Sequence, residues 1–182
     1  MKARRIKKLD PGAPLIDNAA RIIPVRLAEL RSFAPAALDS RRSTEQHDMR
    51  IAAKRLRYVL EATELCFGKP AVGARRRAKA IQDVLGELHD CDVILPRIES
   101  HAARLRHGDA ELIRAAAGDA ADLDPALSAQ AAHRTSYRGL EILAVHVEAR
   151  RRLLFDRFTE LWERTQRERV FERLERAIAL RA

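Results

Sequence analysis

The stretch HDMRIAAKRLRYVLEATELCFG, residues 47–68, has the spacing of an amphipathic helix. Because a helix turns about 100° per residue, side chains three or four positions apart share a face. One face carries side chains suited to a core, namely Met49, Ala52, Ala53, Leu56, Val59, Leu60 and Thr63. The opposite face carries His47, Arg50, Lys54 and Arg57. We therefore predict a helix that packs in a bundle and leaves a basic stripe in solvent.

The next segment has the same layout. Counted from Arg75, the residues Lys79, Gln82, Gly86 and His89 fall within about 40° of one direction, with Arg76 at the flank. The other side is aliphatic, with Ala78, Ile81, Val84, Leu85 and Leu88. If the two helices pack antiparallel, both stripes line one groove that offers guanidinium groups and imidazoles to a row of phosphates. Near the first stripe, only Asp48 and Glu61 are expected to neutralise it.

The rest of the chain also predicts helices, and no segment has a convincing strand pattern. We expect helices over 15–33 with a kink at Pro24, over about 45–67 with Ser43 or Thr44 as its cap, over 72–89 or 72–107, over 109–117, over 127–165, and around Phe171. Gly68 with Pro70, and Gly108, are expected to be helix breaks. The core of the 127–165 helix is predicted to include Leu140, Leu143, Val147, Leu154, Phe158, Leu161 and Trp162. The predicted fold is an all-α antiparallel bundle of long helices, with a basic arm over residues 1–14 and a single domain over residues 15–182.

Charge is unevenly distributed along the chain. The 35 Lys and Arg against 26 Asp and Glu give a net charge of +9, which suggests an anionic partner. Residues 1–90 hold 19 basic and 11 acidic side chains, whereas residues 91–182 hold 16 and 15. An anion site is therefore expected in the first half.

Other sequence signals are ordinary. Cys66 and Cys91 have no zinc spacing, so we expect reduced thiols. No apolar run approaches membrane-spanning length, and the basic start lacks the apolar stretch of a secretory signal. We expect a cytoplasmic protein that does not associate with a membrane.

Two motifs, which follow each other in the order and at the distance expected for the family, resemble the CHAD domain, a conserved-histidine α-helical domain. Residues 47–58 carry a His, an Arg and the cluster KRLRY, and IQDVLGELHDCDV at residues 81–93 is similar to the family's LQxxLG-x-x-x-D segment. The resemblance is strongest over residues 44–99. It implies a helical module that binds inorganic polyphosphate on its basic surface and does not catalyse a reaction. We expect no metal and no cofactor. The expected location is the cytoplasm, including polyphosphate granules. The binding residues that it implies are His47, Arg50, Lys54, Arg55, Arg57, Arg75 or Arg76, Lys79 and His89.

The chain also departs from the family pattern. A CHAD domain usually has two related helical repeats, and this chain has room for about one and a half. The segment 133–152 holds His133, Arg134, Arg138, His146, Arg150 and Arg151, but no second copy of the motif. The groove is therefore expected to be half-sized, or to be completed by a second subunit in a homodimer.

Three other functions fit parts of the sequence. RNA is a polyanion like polyphosphate, yet base stacking needs exposed aromatic side chains, and Tyr58 alone is expected near the stripe. His47-Asp48 and His89-Asp90 superficially resemble the metal site of HD-type phosphohydrolases, although the nearby cations disfavour a metal ion there. Alternating Glu and Arg through 148–176 are typical of a solvated helix or of a surface that binds another protein.

Overall fold

The computed structural model describes residues 3–181, and within them the chain forms helices and connecting segments without a β-strand. The elements are α1 (Leu15–Ala37), α2 (Ser43–Phe67), α3 (Lys69–Ala117), a 3-10 helix (Pro125–Gln130), α4 (Arg134–Arg167) and α5 (Val170–Ala179). The predicted all-α fold is confirmed, and long helices pack as a bundle. Residues 1, 2 and 182, which the predicted arm and domain included, lie outside the described residues.

The chain divides into two compact units. The first comprises the chain up to His89 together with the chain from Arg152 on, and the second is Asp90–Arg151. Helices α3 and α4 each contribute one part to each unit. The first unit also contains α1, α2 and α5.

The core of the first unit is formed by the apolar faces of all five of its helical segments. The largest buried side chains are Ile23, Leu27, Leu30, Met49, Leu56, Leu60, Ile81, Leu85, Phe158, Phe171 and Leu174. Burying one such side chain contributes about 1.5–3 kcal/mol of stability. The core face predicted for α2 is confirmed, because its Met, Leu and Ala positions are buried while Val59 packs partly buried against them. This burial fixes which side of α2 is left for polar side chains.

In the second unit, the parts of α3 and α4 pair antiparallel. Polar contacts connect Arg151 with Asp92, Arg106 with Glu141, and His133 with Asp109. The buried residues here are few, namely Cys91, Ile98, Ala102, Asp109 and Val147. Leu143 was predicted to be core and is exposed, so that part of the prediction was wrong.

Helix α3 is longer than predicted. It continues through Pro96 and Gly108 to Ala117, so the break expected at Gly108 was wrong. Relative to Ala, a helical Gly costs about 1 kcal/mol and a Pro about 3 kcal/mol, and good helix formers on both sides outweigh these costs. Pro70 lies in the first turn of α3, where its missing N–H has no helical partner in any case. It therefore helps to begin α3, whereas we had expected it to help end α2.

Glycine ends two helices where the backbone needs a positive φ. Gly68 has a φ of 58°, and its N–H donates to the carbonyl of Glu64 at 2.9 Å, which ends α2 as predicted. Gly118 has a φ of 57° directly after α3. The helix predicted over 127–165 begins at Arg134, because the 3-10 helix, whose N-cap Asp124 accepts from the N–H of Ala126, precedes it.

Residues 3–14 run along α1. The N–H of Arg4 donates to Oε1 of Glu29 at 3.3 Å, and the N–H of Asp10 donates to Oδ1 of Asn18 at 3.0 Å. These contacts hold the start of the chain against the first turn and the middle of α1. None of the described helices combines the length and the apolar character that crossing a membrane requires.

Candidate functional site

Helices α2 and α3 meet along a line of polar contacts, which we call the α2–α3 seam. Three contacts set its register: His47 with His89, Arg57 with Gln82, and Glu64 with Arg75. Residue numbers rise along one helix as they fall along the other, so the two helices are antiparallel. The structure therefore places most of the side chains from the two sequence-predicted polar faces beside each other, within the first unit.

The end of the seam is occupied by His47, His89 and Arg50. The imidazole rings lie 4.4 Å apart between centroids, tilted by 47°. Arg50 lies against Gly86, where an added Cβ would be 3.4 Å from Nε of Arg50. Nδ1 of His47 and Nε of Arg50 are buried, and neither has a hydrogen-bond partner among the described residues. Because buried polar atoms normally have such a partner, these two atoms are suited to a group supplied from outside the chain.

The surroundings of His47 favour its neutral form. Burial of the ring lowers the pKa of His47 below its ordinary value of 6.5, and the neighbouring His89 and Arg50 lower it further. Asp48 acts in the opposite direction. A bound anion would oppose the effect of Arg50 and His89, because opposite charge favours the protonated imidazole.

The middle of the seam is built around Arg57. Its Nε donates to Oε1 of Gln82 at 2.9 Å, and its Nη1 is paired with Glu61 at 2.5 Å. Its guanidinium carbon lies 4.3 Å from the ring centroid of Tyr58, and Nζ of Lys54 lies 5.8 Å from the same centroid. Tyr58 is 50% exposed, so an aromatic ring does lie at the seam, as predicted.

Acidic side chains neutralise part of the seam. Glu64 pairs with Arg75 at 2.7 Å, and Asp83 pairs with Lys79. The sequence prediction named Asp48 and Glu61 beside the α2 stripe, and it named no acidic partner for Arg75 or Lys79 of α3. Asp83 lies one turn after Lys79 on α3, whereas Glu64 reaches Arg75 from α2.

The α2 stripe is not the fully solvated face that the sequence predicted. His47, Arg50, Lys54 and Arg57 are all partly buried. Packing of α3 beside α2 removes part of each side chain from solvent. Lys54 and Arg50 nevertheless have no carboxylate partner among residues 3–181. The charge left unneutralised is therefore concentrated between Lys54 and the His47–His89 pair.

The family model of the CHAD domain matches residues 3–99, which is more than half of the chain. The chain belongs to the CHAD domain family. The match contains α1, α2 and the part of α3 that forms the seam. No curated protein and no solved structure matches the chain.

Two of the residues that the CHAD resemblance implied lie away from the seam contacts. Arg55 points to α1, where its Nη1 pairs with Oε1 of Glu29 at 2.9 Å. Glu29 is only 1% exposed and also pairs with Arg26 at 2.7 Å, so it joins α1, α2 and the arm. Arg76 is exposed on α3, and the described residues offer it no acidic partner. Arg55, one of the binding residues that the family motif implied, is therefore paired with the buried carboxylate of Glu29.

The sequence analysis did not identify Glu29 as the buried acidic partner of Arg55 in this CHAD domain. Ile22 and Phe33, seven residues before and four after it, put Glu29 on an apolar side of α1. An acidic residue at such a position indicates a buried ion pair, because an isolated buried carboxylate is costly. In the described part of the chain, no group of three or more His, Cys, Asp or Glu side chains is placed to hold a metal ion.

Proposed function

We propose that this CHAD domain binds inorganic polyphosphate along the α2–α3 seam and does not itself catalyse a reaction. The binding residues in this proposal are His47, Arg50, Lys54, Arg57, Arg75, Lys79 and His89, with Arg76 at the edge. The observation that carries it is the pair of buried atoms without partners, Nδ1 of His47 and Nε of Arg50. Membership of the CHAD family supports polyphosphate as the polyanion.

The chemistry of the seam fits a row of phosphates. The guanidinium of Arg50 carries donors and no acceptor, so it suits phosphate oxygens. Gly86 places no side chain against Nε of Arg50, where an added Cβ would lie 3.4 Å from that donor. Lys54, one turn further along α2, is a cation without a carboxylate partner among the described residues. Successive phosphates of one chain can thus meet successive cations.

The paired cations at the other end contribute less. Arg75 and Lys79 are already paired with Glu64 and Asp83, so a phosphate there must compete with a carboxylate. We therefore propose that Arg50, Lys54 and the two histidines supply most of the affinity. Arg55 stays in the proposed set as a residue that acts indirectly, because its guanidinium is paired with Glu29.

RNA is the second candidate, and Tyr58 is the observation that favours it. An exposed aromatic ring between basic side chains can stack on a base. Tyr58 is 50% exposed, but Arg57 already lies over its ring at 4.3 Å. A base would have to share or displace that contact, whereas a phosphate chain needs no ring. An HD-type phosphohydrolase is the third candidate, and metal content after purification tests it.

Competition between ligands tests the proposed function. Labelled long-chain polyphosphate is bound to the purified protein at physiological salt, and unlabelled polyphosphate or single-stranded RNA is added. We expect polyphosphate to displace the label at much lower phosphate concentration than RNA does. Arg50→Ala should weaken binding, while Arg157→Ala, which removes an exposed arginine of α4, serves as the matched control. Equal competition by RNA, or equal effects of the two variants, would refute the proposal.

A further inference from the structure

The outward side of α4 in the second unit carries apolar side chains that nothing in this chain's described residues covers. Ile142 is 65% exposed and Val145 is 67% exposed, and Ala149 is also exposed. We call Ile142, Val145 and Ala149, with the flanking Arg138 and Glu148, the α4 outer face. On the side of α4 that faces α3, Val147 is buried and Ala144 is partly buried. This part of α4 is therefore apolar on two sides, which is typical of a helix covered on both.

The second unit offers little core of its own. Its buried apolar residues are Cys91, Ile98, Ala102 and Val147, all at the contact between α3 and α4. Two helices side by side bury only one stripe each, and stable domains add a further layer. An additional helix packed on the α4 outer face would supply that layer.

The α4 outer face is complementary to itself. Arg138 and Glu148 are exposed, and neither has an oppositely charged partner among residues 3–181. They lie ten residues apart, about 15 Å along the helix. Their midpoint is residue 143, and the midpoint of Ile142 and Val145 is within about 1 Å of it along the helix axis. An antiparallel copy centred there would place Ile142 on Val145 of the second copy and Arg138 level with Glu148 of the second copy.

We propose that the α4 outer face is a homodimer interface, in which α4 of a second copy packs antiparallel across it. A twofold axis makes each contact occur twice, so one charge pair and one apolar pair become two of each. A contact made by one helix per subunit is small, so the dimer dissociates within an accessible concentration range. This proposal does not depend on polyphosphate binding.

Sedimentation equilibrium of the full chain tests the interface, without polyanion and from about 1 μM to about 1 mM, the range of modest affinities. We expect concentration-dependent dimers, which Ile142→Asp and Val145→Asp abolish. Leu65→Asp is the matched control, because Leu65 is an exposed leucine on α2 of the first unit, and it should leave the dimer unchanged. Circular dichroism checks that each variant keeps its helix content. A chain that stays monomeric, including one that binds a different protein through this face, overturns the proposal.

Charge exchange tests the register. Arg138→Glu and Glu148→Arg should each weaken the dimer at least tenfold, because each places like charges opposite one another in both symmetric contacts. The double variant should recover it, and so should a mixture of the two single variants, in which every contact again joins opposite charges. In a parallel pair Arg138 would face Arg138 and Glu148 would face Glu148, so neither single variant would add a repulsive contact and neither would weaken the dimer. Failure of both rescues while Ile142→Asp still abolishes the dimer would overturn the proposed antiparallel arrangement.

Discussion

The imidazole rings of His47 and His89 lie 4.4 Å apart, and they join α2 to α3 at the end of the seam where Arg50 has no acceptor. Two histidines and an arginine at this spacing cannot all be protonated without mutual repulsion. Burial lowers the pKa of His47 most, and the neighbouring His89 and Arg50 lower it further. The site is therefore prepared to take up a proton when an anion arrives.

Binding of polyphosphate should tighten as the pH falls from about 8 to about 6, the range in which histidine titrates. The bound anion favours protonated His47, so complex formation takes up protons. Isothermal titration calorimetry in buffers of different ionisation enthalpy measures that uptake. His47→Asn should reduce it, whereas His107→Asn, at an exposed position of α3, should not. Affinity that does not change with pH in the intact protein would count against this.

The stability of the free protein should depend on pH in the opposite sense. The pKa of His47 is lowered in the folded state, so the unfolded chain binds more protons below its ordinary pKa of 6.5. The free energy of unfolding must then fall as pH decreases below about 6.5, until His47 is protonated in both states. Asp39, whose pKa is about 2, titrates well below this window. Thermal melts of wild type and His47→Asn should show a smaller loss on acidification in the variant, and an equal loss would contradict the assignment.

The helix α2 and its core face could be predicted because two independent signals agree there. The apolar spacing of Met49, Leu56 and Leu60 defines one side, and Gly68 supplies the positive φ that ends the helix. The length of α3 could not be predicted in the same way. Gly108 is a local signal, and its cost of about 1 kcal/mol is small against the helix on both sides of it.

The sequence could predict that the polar faces of α2 and α3 lie beside each other. It could not predict which acidic side chains would pair with their basic residues. Helical periodicity places Gln82 on the same side as Arg75 and Lys79, and Gln82 does reach Arg57. The partner of Arg55, however, comes from α1, which only the tertiary packing brings near. Periodicity along one helix contains no information about which acid a neighbouring helix contributes.

Affinity should depend on chain length and on salt. Long-chain polyphosphate is expected to bind far better than orthophosphate, because several modest contacts add along one chain. With roughly six phosphates neutralised and about 0.7 counterion released for each, the logarithm of the affinity should fall against the logarithm of salt concentration with a slope near −4. Fluorescence anisotropy across a salt series measures the slope. A slope near zero, or equal affinity for orthophosphate, would mean that the seam does not bind a chain.

Gly86→Ala should separate helix stability from access to Arg50. Replacing a glycine inside a helix by alanine usually stabilises by about 0.5–1 kcal/mol, and the new methyl group would meet Nε of Arg50 at 3.4 Å. We expect a higher melting temperature together with weaker polyphosphate binding. Gly73→Ala is the matched control, because it lies in the same helix with nothing within 4 Å of an added Cβ. Equal binding by both variants would remove Gly86 from the site.

Substitutions on the two sides of α2 should affect different properties. Lys54→Ala should change stability by no more than about 0.5 kcal/mol, whereas Arg57→Ala should cost about 0.5–1.5 kcal/mol because it loses the hydrogen bond to Gln82. Both should weaken polyphosphate binding by about 1–3 kcal/mol if each contributes a charged hydrogen bond. Leu56→Ala removes a fully buried side chain, so it should cost about 2–5 kcal/mol of stability and leave the affinity of the folded protein nearly unchanged.

Thermal melts and binding curves on these three variants compare the two effects. Lys54 and Arg57 lie one turn apart on the same side of α2, but only Arg57 holds a side chain of α3. If Arg57→Ala lowers the melting temperature and Lys54→Ala does not, the difference measures how much the contact between α2 and α3 stabilises the fold. The loss of polyphosphate affinity that both variants share measures the contribution of the seam to binding. If Lys54→Ala melts early and Leu56→Ala does not, α2 must turn the opposite face to the core, and the seam as described here would be wrong.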